Sequence, residues 1–342
     1  MSKEGSVSSR RTKSLRIPSL GLHLTDQCDA RCLHCAYHCG PQVGGVMGLE
    51  EVQGYLRAMT AQRPEMVAIS GGEPCLYFGL VLDAIREARR LGVPSVWVFT
   101  NAFWASDAQA ALATVGSLKK AGATRLCLSA DGFHEPFVQG QKVRRALQAA
   151  RDVGLELAVD VRFLGGLEAT NSTNRITQRT VESLGSLQGV EVWRGSPRYI
   201  GRAAEALSSL LKPQPGLPRE ECPGPWAGGT WASPAGVDVD SFGEVTLCPG
   251  ISIGNARERP LARILAGYAP SDHPIIRELI AEGPSRLAQV AERWGYVPLP
   301  GYLDVCHLCY DVRKFLRNRY PSELAPAPCY VEMGPAPGSR GR

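Results

Sequence analysis

Short apolar runs rich in branched residues recur along the chain at intervals of roughly 30 residues, over 19–25, 66–70, 95–101, 125–131, 155–163 and 190–194. Each reads as a β-strand. Between them the apolar positions take helical spacing: Leu49, Val52, Leu56 and Met59, then Val81, Ile85 and Ala88, then the alanine-rich stretch 107–121. A further pattern of this kind passes through Val143, Leu147 and Ala150, and a weaker one through Ile176, Val181 and Leu184. Strand and helix alternating six times predicts an α/β fold with a parallel sheet, and the even spacing favours a partial (β/α)6 TIM-like barrel over an open sheet. In such a barrel the chemistry sits on the loops that follow the strands.

The texture changes over 212–236, where Pro213, Pro215, Pro218, Pro223, Pro225 and Pro234 are interleaved with glycines, the mark of irregular backbone between units. Beyond it a small α+β unit is predicted, with a hairpin around Gly243 (237–240 and 245–247), a helix near 261–265 and a helical segment over 275–294. The expected division is a basic disordered tail at 1–16, the barrel at 17–205, a cysteine-rich unit at 206–330 and a disordered Pro/Gly tail at 331–342.

With 44% hydrophobic and 21% charged residues, the chain has the make-up of an ordinary soluble globular protein. Its formal charge of +5 resides at the ends: Lys3, Arg10, Arg11, Lys13 and Arg16 stand against Glu4, and Arg340 and Arg342 against Glu332. The body is therefore neutral and lacks the basic footprint of a nucleic-acid binder. No apolar run reaches the ~18 residues needed to span a bilayer, and the polar start lacks a secretory core, so a cytoplasmic protein is expected. In that reducing compartment eleven cysteines do not make a disulfide framework; their clustering points to metal binding, catalysis or core filling.

The first cluster is Cys28-Asp-Ala-Arg-Cys32-Leu-His-Cys35, directly after the first strand. Three thiolates so spaced on a loop can converge on one metal centre, either an iron-sulfur cluster or a zinc completed by Cys39. The second strand ends in Ser70-Gly71-Gly72-Glu73-Pro74, where paired glycines allow close backbone approach to a ligand and Glu73 can accept from an ammonium. Together these segments resemble the signature of the radical S-adenosylmethionine (SAM) superfamily. The resemblance implies a 4Fe-4S cluster held by Cys28, Cys32 and Cys35, with its fourth iron open to SAM, and amino-group contacts from Gly71, Gly72, Glu73 and Pro74. At the position before the last cysteine, often aromatic in the family, stands His34.

Other strand ends are similar to family positions near the cofactor: Asn101 after the third strand, and Ser129 and Asp131 after the fourth, where period-two alternation also places Cys127 on their face. Helix capping is the alternative role for these polar groups. Phe163-Leu-Gly165-Gly-Leu-Glu168 after the fifth strand partly resembles the family's glycine and glutamate pattern, which makes Glu168 a further candidate. Arg162 and Arg194 are candidate substrate clamps or simply surface arginines.

The second cluster is Cys222, Cys248 and the pair Cys306-His-Leu-Cys309, a set of thiolates suited to a closed metal site. Gly243-Glu-Val-Thr-Leu-Cys248, followed by Gly254-Asn255, resembles the auxiliary-cluster modules called SPASM and twitch, and Gly201-Arg202-Ala203 looks like the approach to one. The resemblance implies a second, auxiliary 4Fe-4S cluster, in the shortened twitch form because no cysteines closely follow Cys309. A structural zinc is the alternative. Cys39, Cys75, Cys127 and Cys329 are read as core residues, one of which could serve as a hydrogen-atom donor.

By resemblance the expected activity is that of an oxidoreductase: generation of a 5'-deoxyadenosyl radical that removes a hydrogen atom from a peptide or amino-acid-like substrate, with oxidation or cross-linking as the outcome. The alternatives are a dehydrogenase or epimerase of a sugar, aminocyclitol or other small metabolite, and a zinc-stabilised binding protein without catalysis. The expected partners are the substrate and an electron donor such as a flavodoxin or ferredoxin, without nucleic acid or membrane. With about 17 residues ahead of the first strand, no fused leader-peptide-binding domain is expected there. No catalytic side chain is assigned.

Overall fold

The computed structural model describes residues 16–330, so the expected tails lie outside the described residues, apart from Arg16, which meets Glu65 at 2.6 Å. Six strands, β1 (Ser19–His23), β2 (Met66–Ser70), β3 (Ser95–Thr100), β4 (Arg125–Ser129), β5 (Glu156–Arg162) and β6 (Glu191–Gly195), pair in parallel in sequence order. The helices α1 (Leu49–Met59), α2 (Phe78–Arg90), α3 (Ala108–Ala121), α4 (Gly140–Asp152) and α5 (Ser172–Ser183) fill the connections. Each lies where helical periodicity predicts it.

Alternation along the strands sorts the two faces. Leu20, Leu22, Val67, Ile69, Val96 and Val98 are buried in the core that the helices cover. Their neighbours Ser19, Gly21, His23, Ala68, Ser70 and Phe99 face an internal cavity on the other side. The helix starts are set by local chemistry: Asp107 accepts from the Ala110 amide and Asn171 from the Asn174 amide, both at 2.8 Å.

The later residues do not form a sheet core of their own. After the short α6 (Arg202–Leu207) and the two-residue strand β7 (Gln214–Pro215), β8 (Gly236–Val239) pairs in parallel with β1. The strands β9 (Glu244–Cys248) and β10 (Ile251–Asn255) then extend the sheet antiparallel, giving the order β10-β9-β8-β1-β2-β3-β4-β5-β6. The hairpin expected around Gly243 thus exists, but it continues the barrel sheet. One reason lies at Gly21, where a Cβ would fall 1.7 Å from the Asp238 carboxylate; only glycine lets β8 lay that side chain against β1. The helices α7 (Leu261–Ala266) and α8 (Ile276–Glu292, kinked at Glu282 and Gly283) follow, then β11 (Gly301–Tyr302) and α9 (Val305–Leu316). The first two turns of α9, capped by Asp304, carry Cys306 and Cys309, so three-residue spacing presents both thiols on one face.

Gly201-Arg202-Ala203 fastens the cysteine loop. The Ala203 amide donates to the Cys35 carbonyl at 3.1 Å, and the buried Arg202 guanidinium donates to the carbonyls of Cys32 (3.2 Å) and Cys39 (2.7 Å). Gly201 has φ +59 and lies so close that a Cβ would fall 2.2 Å from the Ala36 carbonyl oxygen. On the same helix Glu205 accepts from Tyr310 of α9 at 2.9 Å and meets His38 of the loop at 3.3 Å, which ties the two cysteine regions together. Gly201→Ala is therefore expected to destabilise the protein by on the order of 3 kcal/mol and to reduce iron uptake, through left-handed strain plus a backbone clash. Gly154→Ala has φ +64 but open space, and should cost only about 1–2 kcal/mol. Denaturant titration of both variants checks the difference; equal losses would mean that loop contact contributes nothing.

Candidate active site

A cavity of about 590 Å³ runs along the inner face of the sheet, from Ser19 and Met66 at the strand starts to Ser129 and Arg162 at the strand ends. Cys28, Cys32 and Cys35 all line it, as do Gly71, Gly72, Asn101 and Ser129. Seven of the residues anticipated from sequence are thus brought to one space. The glycines are required for packing: a Cβ on Gly71 would fall 2.7 Å from the Thr25 carbonyl oxygen, and one on Gly72 2.4 Å from that of Gln27. They let the β2 turn press against the start of the cysteine loop. Asn101 braces the same loop, donating from Nδ2 to Asp29 at 2.8 Å.

Four anticipated residues stand off the cavity. Glu73 is fully buried, and its carboxylate accepts from the Cys75 amide (3.0 Å), the Thr100 hydroxyl (2.8 Å) and the Asn101 amide (2.8 Å), so it joins β2 to β3. Burial pushes its carboxyl up to about 7 against those three bonds. Pro74 is buried at the start of a 3-10 turn. The Asp131 carboxylate is engaged by the Phe133 amide at 3.0 Å and the His134 ring at 2.9 Å; burial opposes its ionisation, but the neighbouring imidazoles hold it well below the carboxylate range. Glu168 is exposed. The loop before α5 is captured by Asn174, which bonds Leu164 and Ala169, and this leaves Glu168 on the outside. Arg162 turns inward and pairs with Asp160 at 2.6 Å, whereas Arg194 stays exposed.

The cysteine loop carries contacts that sequence did not single out. His34 stacks on Phe133 with ring centroids 4.5 Å apart and meets His134 edge-on at 4.8 Å, so it fills the aromatic place it occupies. Burial pushes its ring down to about 4, which keeps it neutral. Ligating atoms of Cys32, His34 and His134 lie within 4.8 Å of one another. Cys39 hydrogen-bonds Cys35; that bond lowers the Cys35 pKa and raises that of Cys39. Beside Cys39, His23 pairs with Asp26 at 2.9 Å, and Ser241 donates to the same carboxylate at 2.7 Å. Burial works against a charged His23, yet Asp26 raises its pKa. His23, Asp160, Trp193, Arg198, Trp226 and Asp238 also line the wall.

A second, much smaller cavity is lined by all four remaining candidates, Cys222, Cys248, Cys306 and Cys309, together with Arg198 and Arg313. Arg198 lines both cavities and sits over the Trp226 ring at 5.2 Å. Of the cysteines outside the two sets, Cys39 alone lines the large cavity among the described residues.

An incomplete parallel barrel whose strand ends gather three free thiols, a double-glycine turn and polar strand termini is the layout of an α/β cofactor enzyme. Residues 22–172 match the family model of the Radical SAM superfamily, and the chain carries a radical SAM domain. It is 27% identical over 226 residues to GTP 3',8-cyclase of Peptoclostridium acidaminophilum, covering 59% of this chain and 64% of that one. To the "Putative peptide biosynthesis protein YydG" of Bacillus subtilis (strain 168) it is 20% identical over 192 residues, 54% of this chain and 56% of the other. The chain thus spans less than two thirds of the length of these relatives. Its fold is shared with Streptococcus suis SuiB bound to precursor peptide SuiA, at 13% identity and a TM-score of 0.51, over 93% of this chain and 76% of that one. The family implies a 4Fe-4S cluster and SAM. The residues present suit them: three unpaired thiols, one lowered toward thiolate, at the end of a cavity with polar strand termini. Among the described residues no helix is long and apolar enough to cross a membrane.

Proposed function

We propose that this chain oxidises or cross-links a peptide or amino-acid-like substrate by hydrogen-atom abstraction in the barrel cavity. Cys28, Cys32 and Cys35 hold the first cluster, and Cys222, Cys248, Cys306 and Cys309 hold an auxiliary cluster in the segment 206–330, whose strands β8, β9 and β10 continue the barrel sheet. A small electron-transfer protein such as a flavodoxin or ferredoxin supplies the reducing electron. The observation that carries the oxidative reading is the shared wall: Arg198 borders both the barrel cavity and the second thiol site, so an electron acceptor there lies beside the substrate space. Bound at its site, the first cluster with SAM supplies a 5'-deoxyadenosyl radical able to remove hydrogen from an unactivated C–H bond.

The protein's own side chains do the rest. Gly71 and Gly72 bring the β2 turn close, Asn101 and Ser129 offer amide and hydroxyl groups to the cofactor, and Trp193 and Trp226 give apolar faces that position a substrate carbon. His23, backed by Asp26, offers the cavity an imidazole that takes up the proton released when the product forms. GTP, the substrate that the cyclase relatives' name states, is the competing substrate class. Of the cavity's guanidiniums, Arg162 is ion-paired with Asp160, whereas Arg198 donates to the Gly224 carbonyl, and Asp238 adds a second carboxylate.

Anaerobically reconstituted protein is expected to hold about eight irons. Mixed with SAM, a reductant and short peptides encoded beside its gene, it should form 5'-deoxyadenosine and a peptide about two hydrogens lighter, with deuterium from the reacting carbon recovered in 5'-deoxyadenosine. About four irons with one zinc would remove the auxiliary cluster. A peptide of unchanged mass carrying solvent deuterium would replace oxidation by epimerisation, and a response to GTP alone would shift the substrate class.

A further inference from the structure

Four thiolates gathered around one partly buried cavity repel one another and lose hydration, so a metal centre on Cys222, Cys248, Cys306 and Cys309 needs positive charge beside it. The structure holds such a charge. Arg313, one helical turn beyond Cys309 on α9, is 0% exposed and lines the same cavity as the four cysteines. Its contacts are with neutral groups: Nη1 donates to the Pro249 carbonyl at 2.8 Å and meets the Tyr330 hydroxyl at 3.2 Å, and Nε donates to the Cys309 carbonyl at 3.3 Å. Nη2 is buried and has no hydrogen-bond partner. Among the described residues Arg313 makes no ion pair with a carboxylate, whereas the other wholly or nearly buried guanidinium, Arg202, holds the carbonyls of the cysteine loop. A guanidinium walled in without an anion is strongly unfavourable, and the anion that its position accommodates is the thiolate site itself.

Resting on the reading that these cysteines bind an iron-sulfur centre, we infer that Arg313 is that centre's built-in counter-charge, with Nη2 as a hydrogen-bond donor to sulfur, and that it raises the centre's reduction potential. Reduction adds an electron to a partly buried, already negative site. A fixed positive charge in contact with that site stabilises the reduced form more than the oxidised one, and hydrogen bonds to sulfur act in the same direction. The centre thereby becomes a better acceptor for an electron leaving the substrate side. Arg198 faces the same thiols from the barrel wall but is half-buried, so solvent screens its effect.

The test uses the full chain with Cys28, Cys32 and Cys35 changed to alanine, so that only the second centre gives a signal. After anaerobic reconstitution, iron and zinc are counted and the centre is titrated by EPR-monitored redox potentiometry. About four irons are expected. Arg313→Gln should make reduction about tenfold less favourable, a shift of about 59 mV to more negative potential for one electron. Arg313→Lys keeps the charge and should stay within about threefold of the parent, and Arg198→Gln should shift less than Arg313→Gln. Where Arg313→Gln fails to retain iron, retention by Arg313→Lys at near-parental potential supports the same conclusion. With four irons present, an unchanged potential in Arg313→Gln, or an equal shift in Arg313→Lys, overturns the counter-charge inference alone. Zinc or no metal in the parent overturns it together with the cluster reading on which it rests.

Discussion

A chain in which Cys28, Cys32 and Cys35 are all replaced by alanine is expected to form no 5'-deoxyadenosine from SAM, with or without substrate, and to retain roughly half of the wild-type iron. The three thiols enter the large cavity from one loop, whereas the four cysteines of the second site line a separate one. Removing one set therefore should not empty the other. The loop itself remains seated, because its clamps from Arg202 and Ala203 go to backbone carbonyls of Cys32, Cys35 and Cys39 and do not use the thiols. Cys39→Ala alone should keep the iron, since the role the structure supports for it is hydrogen bonding to Cys35. Iron analysis and chromatographic detection of 5'-deoxyadenosine check both. Continued cleavage in the triple variant would refute the assignment of these cysteines, and iron loss in Cys39→Ala equal to that in the triple variant would make Cys39 a ligand.

Glu73→Gln is expected to lower stability by about 2–4 kcal/mol and to weaken SAM binding indirectly. The carboxylate accepts from three protein donors on both oxygens, and a glutamine turns one acceptor into a donor that faces either the Asn101 amide or the Cys75–Thr100 pair. A buried donor set against a donor leaves both unsatisfied. The displaced strand end carries Asn101, which braces Asp29 of the cysteine loop. The effect also depends on pH. Burial raises the Glu73 pKa to about 7 from an ordinary value of 4.5, so the folded state binds the extra proton between those values. Its stabilising contribution is full below about 4.5 and is lost as pH rises through about 7, so the gap between wild type and Glu73→Gln should narrow across that window. Denaturant titrations from pH 5 to pH 8 measure it. A gap that widens with pH would show the charged form to be favoured in place, and undiminished stability in the variant would return Glu73 to the ligand side.

Much of this protein can be read directly along the chain. Leu20 and Leu22 alternating with Ser19, Gly21 and His23 already mark a strand with an apolar outer face and a polar inner one, and the helical spacing from Leu49 to Met59 marks its cover. The cysteine spacing and the Gly71-Gly72 turn are local features of the same kind, because a loop after a strand end has few places to go. What periodicity cannot carry is where side chains point once strands end, and where distant segments meet. Asp131 and Glu73 have the residue type expected of ligand contacts, but nearby amides and hydroxyls satisfy them first, which becomes visible only with loop coordinates. Glu168 is carried outward because Asn174, in the next helix, captures the loop between them. The hairpin at Gly243 is legible in sequence, but its docking on β1 depends on Asp238 lying over Gly21, a contact between residues far apart in the chain. The Cys306–Cys309 pair is legible as well, whereas its meeting with Cys222, Cys248 and the buried charge of Arg313 is decided by the packing of α9 on α8 and by the reach of Arg313 to the turn between β9 and β10. Local sequence determines periodic elements and loop chemistry because both depend on neighbours in the chain. Tertiary structure determines which polar groups remain free for function, because buried groups are satisfied by whichever donors and acceptors the fold brings nearest.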